Sequence, residues 1–256
     1  MSLITHHSLA DQIHHIELSN GSGNPINAEL IAELHQCILL IGQESPKALI
    51  LSSASERIFS GGFDLPSIAF WPRTELQHFL NGYLEMLYSI MRLPCVSISV
   101  INGHCIAAGF ILSLATDFRI CTDKAIKLGL SEVNLGPAVP AGAHVLFESR
   151  TSKTAALWAA ATGQLFDPQT ALHIGYANQC CAQPLDAARR LAEQIAQKPA
   201  VGSGLCTTMA SERIISDMKA ADEQGMTLFL DSWFHPESQA ALQNLARQLS
   251  QKKSEA

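Results

Sequence analysis

The chain has 256 residues, of which 47% are hydrophobic and 16% charged, with a formal net charge of −6 and a mean hydropathy above zero. It is long enough to bury a substantial core, as one large α/β domain or a domain with an appendage. The acidic balance excludes the broad basic footprint of a nucleic-acid or anionic-membrane binder, so any phosphate on a ligand must be met locally.

Short apolar runs with β character occur at Ile13–Leu18, Ala48–Ser52, Cys95–Ile101, Phe118–Cys121 and Ala125–Leu128. Helical patterns fall between and after them, at Ala28–Gly42, Thr74–Met91, Ala107–Ala115, Thr154–Thr162 and Leu185–Gln197. Strands alternating with helices predict an α/β fold rather than a sandwich. After about Pro199 the strands stop. Gly202–Met218, Ala220–Phe234 and Pro236–Gln251 read as three successive helices, with Pro236 suited to a first helical turn. The Lys252–Ala256 tail is expected to fray.

Cys95–Ala115 approaches the length of a membrane span, which needs about 20 apolar residues. Asn102, Gly103 and His104 interrupt it, so it reads as a buried strand followed by a buried helix. The seven cysteines, Cys37, Cys95, Cys105, Cys121, Cys180, Cys181 and Cys206, form no CxxC pair. With no signal-like apolar segment in the first 20 residues, they point to a reducing cytoplasm.

Four segments carry possible chemistry. In Asn24-Pro25-Ile26-Asn27-Ala28, Asn27 is suited to cap the helix opening at Ala28. In Arg57-Ile58-Phe59-Ser60-Gly61-Gly62-Phe63-Asp64-Leu65, the glycine pair permits close backbone approach and Asp64 can cap the next helix or turn. An ordinary strand-to-helix loop reads the same way, and neither GxGxxG nor a P-loop is present. Asn102-Gly103-His104-Cys105-Ile106-Ala107-Ala108-Gly109 opens a helix on tiny residues, whose bare N–H groups suit a carbonyl oxygen. The next turn, Phe110-Ile111-Leu112, holds no acid or base.

In Gly129-Leu130-Ser131-Glu132-Val133-Asn134-Leu135-Gly136-Pro137, one carboxylate sits among apolar residues. Glu132 is either a solvated turn residue or, if desolvated, a proton shuttle with a raised pKa. His6-His7 and His14-His15 lack metal-ligand spacing, GxSxG is absent, and no metal site is expected.

In this order the segments, with Asp117 and Trp233-Phe234-His235-Pro236-Glu237, resemble the crotonase family, the enoyl-CoA hydratases and isomerases. The resemblance covers nearly the whole chain. It implies a spiral of ββα units over residues 1–199 with the acyl-CoA site, and a helical oligomerisation region over 200–256. It further implies a homotrimer or a dimer of trimers, and an acyl-CoA substrate with no separate cofactor. The thioester carbonyl would lie between the N–H groups of Phe63 and Ala108. Arg57 would meet CoA phosphates, and Ile26, Ser60, Gly61 and Asp64 the nucleotide-side wall. Phe63, Phe110 and Trp71 are candidates for the acyl tunnel.

Hydratases of the family have two glutamates, one in the helix after the second oxyanion residue and one in the later segment. Here the first position is Ile111 and the second is Glu132. The single acid is similar to the Δ3,Δ2-enoyl-CoA isomerases, which move a double bond by a 1,3-proton shift. So are the longer Lys127–Glu132 segment and Pro140-Ala141-Gly142-Ala143. The alternatives are a hydratase with another acid, such as Asp64, in the second role, and a catalytically reduced acyl-CoA-binding homologue.

Overall fold

The computed structural model describes residues 2–254. Nine strands and ten α-helices follow in chain order among these residues. The first half runs β1 (Ile4–Ser8), β2 (Ile13–Leu18), α1 (Ala28–Gln43), β3 (Ala48–Ser53), β4 (Ile58–Ser60), α2 (Leu65–Ile68), α3 (Arg73–Met91), β5 (Val96–Ile101), β6 (His104–Ile106), α4 (Ala108–Leu114), β7 (Phe118–Thr122) and β8 (Leu128–Gly129). A 3₁₀ turn at Glu132–Leu135 leads to α5 (Ala141–Arg150), α6 (Lys153–Thr162), α7 (Pro168–His173), β9 (Gln179–Cys181), α8 (Pro184–Ala196), α9 (Ala200–Trp233) and α10 (Pro236–Ser254).

The strands form two sheets, one ordered β1-β2-β3-β5-β7-β9 and the other β4-β6-β8. Only β1–β2 is antiparallel. Each of the pairs β3/β4, β5/β6 and β7/β8 sends its first strand to the large sheet and its second to the small one. The chain therefore spirals, and the loops following the small strands stack on one another.

Alternation along the large sheet divides the core. Ala48, Ile50, Ile98 and Val100 pack against Ala188, Ala192 and Ile195 of α8, whereas Leu49, Leu51 and Ile101 join the main core with α1 and α3. Both faces are covered, which is why the parallel strands read as unbroken apolar runs. Asn27 caps α1 by accepting from the Leu30 N–H at 2.9 Å.

Several sequence expectations need correction. The Ala125–Leu128 strand shrinks to Leu128–Gly129, because 123–125 bend the chain from one sheet to the other. Gly202–Met218 and Ala220–Phe234 are one helix, α9, 34 residues and about 50 Å long. Nothing between Met218 and Ala220 breaks a helix. α10 continues through Ser254 instead of fraying after Gln251, and Glu255 and Ala256 lie outside the described residues. Strands of two or three residues, β4, β6, β8 and β9, are too short to show a period.

α5 was also invisible as a helix, and its stabilisation is tertiary. Pro140 at its N-cap makes no side-chain cap bond. Asp222 of α9 supplies one, its Oδ1 accepting from the Gly142 N–H at 2.7 Å. No described helix is long and apolar enough to cross a membrane.

Candidate active site

The small sheet brings two distant loops together. At the end of β4, Ser60-Gly61-Gly62-Phe63 turns with Gly62 at φ +96°, a conformation that glycine adopts without strain. Phe63 is then pinned beside Ile26 by a bridge in which the Ile26 N–H donates to the Gly62 carbonyl and the Asp64 N–H to the Ile26 carbonyl. The Phe63 N–H takes no part in that bridge.

One strand over, Ala107 holds φ 52° and ψ −127° before α4 begins at Ala108. That region is costly for a residue with a side chain, on the order of 1–3 kcal/mol. The first N–H of α4 that follows it has no intrahelical acceptor.

Close packing fixes the two halves relative to each other. A Cβ added to Gly109 would lie 2.6 Å from both Cβ and O of Ser60, so only glycine allows α4 to start this near β4. A Cβ on Gly62 would sit 3.3 Å from the Ala108 nitrogen. Tyr83 of α3 touches both halves. Its hydroxyl donates to the Ala108 carbonyl at 2.5 Å, and its ring packs edge-on against Phe63 at 5.0 Å. Phe63 and Ala108 thereby face one cavity.

That cavity, of about 150 Å³, has mostly apolar walls, with Leu80 and Leu84 from α3, Ile111 from α4, and Phe229 and Trp233 from α9 among them. Leu242 and Leu245 of α10 also line it, so the C-terminal helices are part of the site. Among the lining residues Glu132 is the only carboxylate. Glu132 opens the 3₁₀ turn that follows β8; as a residue it is half-buried, yet its Oε2 is shut off from solvent and has no hydrogen-bond partner. Burial raises its pKa to about 7, and hydrogen bonds from backbone N–H groups, its own and that of Ser131, offset only part of this. A carboxyl group with a pKa near neutrality, on the same cavity walls as Phe63 and Ala108, has the acidity to take up a proton and return it.

Residues 9–248 match the family model described as enoyl-CoA hydratase/isomerase. The chain belongs to this family. Among curated members of the family it is 29% identical over 199 residues to the carnitinyl-CoA dehydratase of Proteus mirabilis, covering 77% of this chain and 76% of that one. It is 28% identical over 166 residues to the human mitochondrial enoyl-CoA delta isomerase 1, covering 64% and 55%. In fold it superimposes on the crystal structure of human mitochondrial Δ3-Δ2-enoyl-CoA isomerase with a TM-score of 0.90, at 23% identity, over 98% of this chain and all of that one. The enoyl-CoA hydratase of Geobacillus kaustophilus gives 0.77 at 25% identity, over 90% and 94%.

The other residues singled out from sequence fall in different surroundings. Gly61 lines the cavity. Ser60 is buried, its hydroxyl donating to the Asn24 carbonyl and accepting from the Gly62 N–H. Ile26 is a core residue. Arg57 is exposed on the loop before β4. Asp64 does not line the cavity and makes no helix-cap bond; its Oδ2 accepts from Ser67 Oγ at 2.6 Å.

Of the three tunnel candidates only Phe63 faces the cavity. Phe110 is core, stacked on Tyr176 at 4.3 Å, and Trp71 packs on Phe79 outside the cavity. His104 Nδ1 accepts from the Lys127 N–H, a turn role. Among the described residues no metal-ligating cluster of three or more occurs. Sequence reasoning missed Tyr83 and the lining role of Trp233, because each sits inside a helix and meets the Gly-rich turns only once the chain folds.

Proposed function

We propose that this protein is a Δ3,Δ2-enoyl-CoA isomerase acting through a single carboxylate. The observation that carries the reading is the pairing of Ile111 and Glu132 in one cavity with no second carboxylate on its walls. The thioester oxygen sits between the Phe63 and Ala108 N–H groups. Glu132 removes a proton from C2, the enolate charge rests on that oxygen, and Glu132 returns the proton at C4. Losing one such donor typically costs ~10²–10³ in rate. A residual basic contact for the CoA phosphates comes from exposed Arg57, with the backbone around Ile26, Ser60, Gly61 and Asp64 forming the nucleotide-side wall.

The likeness to carnitinyl-CoA dehydratases favours a second reading, addition or removal of water. That chemistry asks for a second proton carrier. Tyr83 is the other titratable residue on the cavity walls; its hydroxyl is committed to the Ala108 carbonyl, and burial with the nearby Glu132 charge raises its pKa well above the ordinary value. Asp64 lies off the cavity. Both points support isomerisation.

The family resemblance further supports a homotrimer or a pair of trimers, and the unpaired cysteines a reducing, cytoplasmic setting. The deciding experiment incubates the native protein and Glu132→Gln with 3-hexenoyl-CoA and with crotonyl-CoA. Native conversion of the first to its 2-enoyl isomer, lost in the variant, is expected. Faster hydration of crotonyl-CoA than isomerisation would give the dehydratase reading instead.

A further inference from the structure

Trp233 carries a polar atom that no described residue satisfies. It lies at the C-terminal end of α9, is 5% exposed and lines the active-site cavity. Its Nε1–H is buried and has no hydrogen-bond partner. Buried indole N–H groups normally find an acceptor, and an unpaired one is a standing cost to the folded chain.

The rest of the site does not use this donor. The thioester oxygen has Phe63 and Ala108, and the proton has Glu132. The neighbouring contributions from α9 and α10, Met226, Phe229, Leu242 and Leu245, are all apolar. A trapped water needs two to four polar partners, and among these α9 and α10 side chains only the indole offers one; Glu132 Oε2, the other buried unpaired atom on the cavity walls, is reserved for the proton chemistry. No lysine, arginine or histidine lines the cavity, so a carboxylate seated there would be desolvated without a counter-charge. The unmet partner is therefore a neutral acceptor carried by the ligand.

We propose that Trp233 selects acyl groups bearing a neutral oxygen, a hydroxyl or a ketone, on the chain beyond the thioester. The proposal rests on the acyl-CoA reading of the cavity and narrows its substrate class. A site that buries a donor discriminates against ligands that leave the donor unpaired.

Binding of saturated acyl-CoAs, which cannot isomerise, tests it separately from the proton chemistry. Isothermal titration would compare hexanoyl-CoA with its 4-, 5- and 6-hydroxy and 5-oxo counterparts, and with a trimethylammonium-bearing acyl-CoA. At least one oxygenated ligand should bind the native protein about tenfold more tightly than hexanoyl-CoA. Trp233→Phe should weaken the oxygenated ligand about tenfold more than it weakens hexanoyl-CoA, erasing the preference, and Trp233→His, which restores a ring N–H, should recover part of it.

Equal native affinity for plain and oxygenated ligands overturns the proposal, whether or not the variants fold. So does equal weakening of both by Trp233→Phe. Tightest binding of the trimethylammonium ligand overturns it too, assigning the indole face rather than its N–H. Binding of no acyl-CoA at all sinks the acyl-CoA reading itself. Failure of 3-hexenoyl-CoA conversion alone sinks only the isomerase.

Discussion

Ile111, on the first turn of α4, and Glu132, at the head of the 3₁₀ turn after β8, line the same cavity, and of the two only Glu132 can carry a proton. Ile111 is 3% exposed and occupies its part of the wall with hydrocarbon. That leaves no side chain there to hold and activate a water.

Activity should titrate with the buried acid. In the proposed proton shift Glu132 must be ionised to accept the C2 proton, and burial places its pKa at about 7. Below that pH the group is protonated and idle, so kcat/KM for 3-hexenoyl-CoA should rise with pH and level off above neutrality. A profile already flat at pH 5 would remove Glu132 as the base.

The same displacement costs the fold stability in alkali. The unfolded Glu ionises near 4.5 and the folded one near 7, so the unfolded state is increasingly favoured as pH rises between those values. The penalty is complete above pH 7 and absent below about 4.5. Glu132→Gln should therefore be inactive yet more stable than native at pH 8, by about 3 kcal/mol, and equal to it near pH 4. Denaturant melts at the two pH values measure the difference.

Ile111→Glu supplies the missing second carboxylate. Hydration of crotonyl-CoA should appear where the native protein has little, and the like charge should push the rising limb of the isomerase pH profile higher. Steady-state assays of both reactions across pH check this. Unchanged hydration in a well-folded variant would mean that Ile111 does not set the reaction.

Gly109→Ala tests the close approach that joins the two loops. Its new Cβ would meet Ser60 Cβ and O at 2.6 Å, and the Ser60 carbonyl is backbone and cannot swing aside. α4 should be pushed from β4, separating the Ala108 N–H from that of Phe63. A loss of about 1–3 kcal/mol in stability is expected, together with a fall in kcat larger than any change in KM. Calorimetry and kinetics together decide it.

Much of this was legible in the residues themselves. The apolar runs of β2, β3, β5 and β7 were readable because both faces of the large sheet are covered, and the Asn27 cap because its hydrogen bond is local. The small sheet and α5 were not readable. Strands of two or three residues show no period, and the cap that starts α5 comes from Asp222, 80 positions later.

By itself the sequence determined that position 111 is hydrocarbon and that the Gly129–Gly136 segment offers one acid, Glu132; it set bare backbone at Ala108 and a glycine pair before Phe63. Those properties belong to single residues and their immediate neighbours, so no folding is needed to read them. Only the tertiary structure decided that these segments share a cavity, that Asp64, Phe110 and Trp71 do not, and that Tyr83 and Trp233 do. It also decided the acidity of Glu132, since a carboxyl group's pKa is set by the water that surrounding chain removes. Here that chain includes walls from α3, α9 and α10, far from Glu132 in sequence and adjacent only after the spiral closes.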